Sequence, residues 1–467
     1  MMSRELFIQY IKESDARSDE SLRKYQVQTQ ALGRLSSMKD NAFLGVGLKG
    51  AGKSASFRLL CEDLAVDLVQ PISAQTQEPY SIAGMRPTLQ YVEELKGDLL
   101  LQTLVSLVQS PQVSRTRTKL DGALTQEASV LVSEIWGKAK HALGSLAGFS
   151  ILGCGISFRS AGKREAASRL TSRNQYSDAL SLVSRITEKC TVRLVIDDPE
   201  AIFTTADASV NENLVAALCI ASHELQKKIP NWKCIILIKP NILRPLRRVD
   251  EFASIPLNSR VKLTWTDKEL KSVLLKRAEA ADISLRDAFL TDPERALDLI
   301  VADSRTGPRD ALRRLELHFD AYPNDPVTPQ NLERSIGTYS DACFDQMVAA
   351  YDRQYPGLSR VALMIFEGKQ TRISKVDIDA RLDQMIASSK EILTYKDQQW
   401  ARDAAHLADL LLQFGLVAVE VDREIHLPYH STYAEAGAQQ GAVFVSLPAL
   451  RGRLRRSIST SSLPRIS

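Results

Sequence analysis

Gly47-Leu48-Lys49-Gly50-Ala51-Gly52-Lys53-Ser54 fits the pattern G-x-x-x-x-G-K-[ST] at every fixed position. The apolar run Ala42-Phe43-Leu44-Gly45-Val46 before it predicts a short buried strand. Ala55-Ser56-Phe57-Arg58-Leu59-Leu60 after it predicts the first turns of a helix. A strand feeding a glycine turn that opens a helix aims several backbone N–H groups and the positive end of the helix dipole at one spot. Polyphosphate is the ligand that fits such a spot. Gly47, Gly50, Ala51, Gly52, Lys53, Ser54 and Ala55 are therefore expected to bind ATP. Lys53 would reach the β/γ-phosphates and the Ser54 hydroxyl would take a place on Mg²⁺.

Such a loop needs an acidic partner at the end of a neighbouring strand, because the charge of Mg²⁺ exceeds what a hydroxyl can balance. Leu194-Val195-Ile196-Asp197-Asp198-Pro199-Glu200 supplies one, about 140 residues downstream. Asp197, the first acid, is expected in the Mg²⁺ shell, directly or through water. Asp198 is the candidate to orient or deprotonate the attacking water, with Glu200 in reserve. A later apolar run delivers Lys239-Pro240-Asn241 to the same sheet edge, where a polar side chain would contact the γ-phosphate; Asn241 is preferred, with Lys239 as a solvated strand end. Gly307-Pro308-Arg309-Asp310 opens a helix with proline where its missing N–H costs nothing. Arg309 would project from that helix toward the phosphates and read nucleotide state. Arg244, Arg247, Arg248 and Arg260 are candidates to act in trans in a ring or filament, or are ordinary surface charges.

At 467 residues the chain exceeds one core, and two or three domains are expected. Sixty basic and 56 acidic side chains leave a net charge of +4, too balanced to announce a nucleic-acid binder. The six cysteines include no C-x-x-C pair, so neither a zinc site nor a disulfide framework is indicated. The six histidines show no metal spacing either. The opening Met1-Met2-Ser3-Arg4-Glu5-Leu6 lacks the apolar stretch of a signal peptide, so none is expected. The uncharged stretch from Leu143 to Phe158, with four glycines, is short for a membrane span and predicts a loop or hairpin, with weak membrane contact as the alternative. A cytoplasmic protein without a membrane partner is expected.

The pattern along the chain predicts an α/β fold: a P-loop NTPase with a parallel sheet flanked by helices, then a helical lid and a C-terminal winged-helix-like domain. The boundaries are 1–40 for a helical lead-in packed on the nucleotide domain, 41–261 for the ATPase core, and 262–338 for the lid. The winged-helix-like domain would span 339–450, and 451–467 a basic, Ser-rich tail. Within the core, Val66 to Ile72, Cys190 to Ile196 and Trp232 to Ile238 predict strands. Tyr91 to Val108 and Asn211 to Lys228 predict helices, the second completing a β–α–β unit. Leu416 to Leu427 predicts two alternating strands around an acidic turn.

The order of these motifs resembles the STAND and origin-recognition-like branches of the AAA+ ATPases. More closely, it is similar to a family of bacterial P-loop ATPases found among defence and signalling genes. The matching stretches are Phe43 to Ser54, Leu194 to Glu200, Trp232 to Leu246, Leu263 to Leu270, Gly307 to Leu312 and the closing run Val445 to Arg451. Two departures bear on the rate of hydrolysis and leave binding untouched. The family's Asp-Asp strand end usually continues Leu-Asp-Arg, where this chain has Pro199-Glu200-Ala201. Its strand before the lid often ends in an Arg-x-Asp group, where this chain has Lys239-Pro240-Asn241. The resemblance implies a switch that controls its own assembly, as a homo-oligomer, or a separate effector protein in anti-phage defence.

From Asp341 to Glu435 there are 15 acids and 10 bases, the reverse of what a duplex-binding module carries. The helix expected near Trp400 to Leu412 offers Arg402, Asp403, His406 and Asp409, which is not a basic face. Only the tail, with Arg451, Arg453, Arg455, Arg456 and Arg465, would make non-specific nucleic-acid contact. The winged element therefore reads as a protein-contact or autoinhibitory domain first. The competing expectations are an initiator-like DNA-binding ATPase and a non-hydrolysing, ATP-bound scaffold.

Overall fold

The computed structural model describes residues 2–13, 16, 19–48, 50–73, 88–109, 119–120, 122–143, 173–203, 208–246, 249–304, 307–352, 355–366, 372–388, 403–414, 416–421, 424–426, 437, 443–446, 448–450 and 452–454. The Gly-rich stretch from 144 to 158 and the tail beyond 454, both singled out in the sequence, lie outside them. The chain divides into two units, one of Gln28–Leu263 and one of Met1–Val27 with Thr264–Ser467.

Five strands build the first unit: β1 (Leu44–Val46), β2 (Leu68–Ser73), β3 (Val192–Asp197), β4 (Trp232–Ile238) and β5 (Arg260–Lys262). They pair in the order β2-β3-β4-β1-β5, every pairing parallel. Every residue of β3 and β4 is buried, as expected where helices cover both faces of a parallel sheet and the strands become continuous apolar runs. The expected strands and their β–α–β connection are present. The sheet order corrects one expectation: β4 lies between β1 and β3, so the strand before the glycine loop and the strand ending in Asp197 are not neighbours.

Helix Lys53–Cys61 packs over β2, β3 and β4, and helices Thr88–Gln109 and Ala208–Lys228 pack on each other. Leu99, Leu104, Leu214 and Ile236 lie in the core they share. The Trp232 indole donates to Thr103 Oγ1 at 3.0 Å, which ties β4 to the longer helix. Two cations interrupt the apolar strands. Arg193 and Lys233 are registered partners on β3 and β4, and both are buried. Lys233 Nζ donates to the carbonyls of Ser37 at 2.6 Å, Asp40 at 3.0 Å and Arg34 at 3.4 Å. Arg193 pairs with Asp63 at 2.7 Å and donates to the carbonyls of Leu60 and Ser36. The carbonyls of Arg34, Ser36 and Ser37 lie at the carboxyl end of helix Gln30–Ser36 and that of Leu60 at the carboxyl end of helix Lys53–Cys61, ends that an α-helix leaves without internal partners. Burial pushes the Lys233 ammonium down to about 7, with Arg193 adding to the fall.

The second unit begins with helix Met2–Lys12, which packs on helices Pro308–Ala321 and Asp267–Ala280. The sequence leads one to expect a lead-in packed on the nucleotide domain; residues 1–27 instead join the helical region that follows the sheet. Aromatic packing explains this. The Phe7 ring lies edge-on to Phe289 at 6.1 Å and to Phe319 at 6.3 Å. Arg277 Nε donates to the Tyr10 carbonyl at 3.0 Å, and its guanidinium lies 4.0 Å from the Tyr25 ring centre. Tyr25 in turn donates to Asp19. Helix Asp267–Ala280 opens with a complete capping box from Thr266 and Glu269. Further along are β6 (Arg372–Ile373), β7 (Val417–Val421), β8 (Glu424–His426) and β9 (Val443–Ser446). They form an antiparallel sheet in the order β6-β9-β7-β8, with the expected β7–β8 pairing. Phe366, Leu382, Leu411 and Phe444 lie in the core beneath it.

Candidate functional site

Parallel strands bring their carboxyl ends to one edge of a sheet, and register decides what meets there. Val46 of β1 pairs with Ile238 of β4, so Gly47 and Lys239 leave the sheet side by side. Asp197 of β3 pairs with Leu237, so Asp198 departs one step away. Two backbone bonds stitch this edge: Gly47 N–H to the Ile238 carbonyl at 3.1 Å, and Asp198 N–H to the Leu237 carbonyl at 3.3 Å.

The glycine loop turns where a side chain would be strained. Gly50 has φ 94° and Gly52 φ 91°, both in the left-handed region that costs glycine little. Gly52 caps helix Lys53–Cys61, and Ala51 N–H closes the turn onto the Leu48 carbonyl at 3.1 Å. Ser54 and Ala55 fall in the first turn of that helix. Lys53 curls back beneath the loop, its Nζ donating to the carbonyls of Gly47 at 2.8 Å and Leu48 at 3.1 Å. Burial lowers the pKa of this ammonium. Asp198, Glu200 and Asp197 oppose the fall, so all three carboxylates act on Lys53 across the edge.

Asp198 has φ 49° and ψ 58°, a left-handed conformation that aspartate tolerates better than most side chains. From there it opens the single turn Pro199–Ile202, with proline at the first position, and its carbonyl accepts from Ala201 N–H at 2.9 Å. The turn carries Glu200 back toward the end of β4. Lys239 Nζ lies 3.0 Å from Glu200 Oε1 and 3.7 Å from Asp198 Oδ1. Burial raises the Glu200 carboxyl above its ordinary value, and Lys239 opposes the rise. Burial also pulls on Lys239, but Glu200 and Asp198 outweigh it and hold the ammonium above its ordinary value.

The edge thus brings together Gly47, Gly50, Ala51, Gly52, Lys53, Ser54, Ala55, Asp197, Asp198 and Glu200. It also adds Lys239, which the sequence ranks below Asn241. The signal was present, since a lysine directly after an apolar strand lies at the same edge as the acids that end the neighbouring strand. Asn241 lies in helix Pro240–Leu246; its side chain, that of Arg244, and residues 247 and 248 lie outside what is described. Arg260 lies over the Phe252 ring at 4.7 Å and donates to the carbonyls of Phe252 and Ile255 at 3.4 and 3.1 Å, so its guanidinium is engaged within its own chain. Arg309 belongs to the second unit, in the first turn of helix Pro308–Ala321.

The donor set fits Mg²⁺. Ser54 and Asp197 offer hard oxygen ligands, and this ion is held by one or two protein oxygens with phosphate and water completing its shell. Among the described residues no group of three or more His, Cys, Asp or Glu could hold a metal. Nor is any helix among them long and apolar enough to cross a membrane.

No protein-family model matches the chain, and no curated protein matches it. Among solved structures it is similar to the ORC2 protein of Aeropyrum pernix in its ADPNP–ADP complexes, at 12% identity and a TM-score of 0.41 over 97% of this chain and 92% of that one. It is also similar to Cdc6p of Pyrobaculum aerophilum, at 11% identity and 0.34 over 97% and 98%. The ADP form of the Aeropyrum ORC2 protein gives 14% and 0.35 over 92% and 91%. A likeness at these scores does not say what the chain binds.

Proposed function

We propose that the chain binds ATP at the glycine loop, hydrolyses it slowly, and uses the bound state as a switch over its own assembly or a partner protein. One observation carries the reading. Lys53 is buried beneath a loop with two left-handed glycines at a helix N-terminus, within electrostatic range of three carboxylates at and just beyond the end of β3. A surface glycine turn has no reason to bury a lysine against backbone carbonyls that a phosphate could replace.

The backbone N–H groups of residues 50–55 and the Lys53 ammonium would hold the β- and γ-phosphates. Ser54 and Asp197 would hold Mg²⁺, which supplies positive charge against the phosphate oxygens. Asp198 would accept a proton from water as its oxygen bonds to the γ-phosphorus. The bond to the bridging oxygen then breaks and its electron pair leaves with ADP. Arg309, from the second unit, would couple the phosphate state to the helices that follow the sheet. The β6–β9 sheet and its helices serve in this reading as a winged-helix-like contact domain, and a separate protein supplies any destructive output in a defence setting.

Titration calorimetry with ATP and Mg²⁺ tests the binding. Wild type should release heat on ATP addition, and Lys53→Ala should release none while keeping its circular dichroism. Sizing the protein with and without ATP·Mg²⁺ tests the switch, which predicts a change in oligomer size. No heat from folded wild type would end the proposal.

A further inference from the structure

The helix that would hold the phosphates is thinly anchored by its side chains. Of the nine residues Lys53–Cys61, only Lys53, Ser56 and Leu60 are buried, so a single apolar side chain roots the helix in the core. A helix on the surface of a globular protein ordinarily lays three to four apolar positions per two turns against its neighbours. What the side chains lack is supplied at the last turn. Arg193 on β3, 0% exposed, donates to the Leu60 carbonyl at 3.3 Å and pairs with Asp63, just past the helix, at 2.7 Å. It also donates to the Ser36 carbonyl. One guanidinium thus ties the end of the phosphate helix to the end of helix Gln30–Ser36 and to the strand that ends in Asp197. Its charge also meets the negative end of the helix dipole, where a cation is favoured.

We propose that Arg193 is a positioning residue for nucleotide binding: by fixing the carboxyl end of helix Lys53–Cys61 it sets where the N–H groups of the first turn point. This rests on the ATP-binding reading and extends it to a residue at the opposite end of the helix. At ~1.5 Å per residue the helix is about 13 Å long, so a tilt of about 5° about the clamped end moves the first turn by about 1 Å. Lys233 provides the contrast. It is the registered neighbour of Arg193 on β4 and is 3% exposed. The carbonyls it reaches belong to Arg34, Ser37 and Asp40, and none of them lies in the phosphate helix. Loss of either cation disturbs the same part of the sheet, but only loss of Arg193 releases the helix.

The test is the pair of dissociation constants for ATP and ADP, measured with Mg²⁺ on the full chain by titration calorimetry, with circular dichroism to check folding. Arg193→Met should weaken both nucleotides at least tenfold, because the loop holds the phosphates they share. Arg193→Lys keeps a cation at the helix end and should recover most of that loss. Lys233→Met should leave both constants near those of wild type, whatever it does to the urea midpoint. Asp63→Asn takes the charge from the clamp but leaves the carbonyl bonds, so it should weaken both nucleotides severalfold. Where Arg193→Met does not fold, Asp63→Asn decides. Unmoved constants in the deciding variant overturn the positioning role. Equal weakening by Lys233→Met overturns it too, since that would mark a general loosening of the sheet. Wild type that binds neither nucleotide overturns the ATP-binding reading instead, and leaves no constants to compare.

Discussion

Replacing Lys233 with methionine should flatten the alkaline side of the stability profile of the sheet unit. Lys233 sits on β4 among backbone carbonyls, and burial pushes its ammonium down to about 7 from an ordinary 10.5. The sign follows from proton binding. Between those two values the unfolded chain holds a proton on Lys233 that the folded chain has released, so stability must rise with pH. Each unit of pH in that window contributes about 1.4 kcal/mol when the difference is a whole proton. From about pH 7.5 to 9.5 the difference is nearly whole, so wild type should gain roughly 2.5 kcal/mol from this residue. Lys233→Met lacks the titrating group, and its urea stability should lack that gain. The comparison is between slopes, because the variant also leaves the carbonyls of Ser37 and Asp40 without their donor. Urea unfolding followed by far-ultraviolet circular dichroism at four pH values would measure it. Parallel profiles for wild type and variant would refute the reasoning and mean that the three carbonyls keep Lys233 charged.

Asp198→Asn should keep ATP bound while slowing turnover by about a hundredfold or more, the contribution a positioned general base makes, and phosphate release under single-turnover conditions would show it. Normal turnover in that variant would pass the role to Glu200. Gly52→Ala forces a side chain into φ 91° and should cost ~1–2 kcal/mol in thermal or urea stability, along with most of the ATP affinity. Full affinity in that variant would show that the loop does not need its left-handed turn.

Much of the sheet can be read from the chain, because strands covered on both faces are unbroken apolar runs. Trp232–Ile238 is such a run, and its limits in the structure are those the sequence predicts. The glycine loop is legible for a different reason, since few uses other than a phosphate demand two glycines and a lysine at that spacing. Sheet order is another matter. Nothing in Leu194-Val195-Ile196-Asp197 states that β4 will insert between it and β1, because order is decided by how helices pack across the faces. Arg193 and Lys233 interrupt hydrophobic runs in a way that suggests solvent. Only the three-dimensional arrangement supplies the two helix ends whose carbonyls receive them. Lys239 is hard to pick out from the sequence for a similar reason: its partner Glu200 reaches it through the left-handed turn at Asp198. The packing of the first 27 residues is not legible either, because Phe7 and Tyr10 advertise an apolar face without saying which helices it meets.

That last placement has a consequence for how the molecule is made. Residues 1–27 leave the ribosome before the sheet unit, yet the helices they pack on begin with Asp267 and so are synthesised after that entire unit. The opening helix must wait, its Phe7 face uncovered, while some 240 residues are translated, which at ~5–20 residues per second takes roughly 10–50 seconds. During that interval the sheet unit can finish folding on its own, and the uncovered helix that carries Phe7 is open to chaperones and proteases.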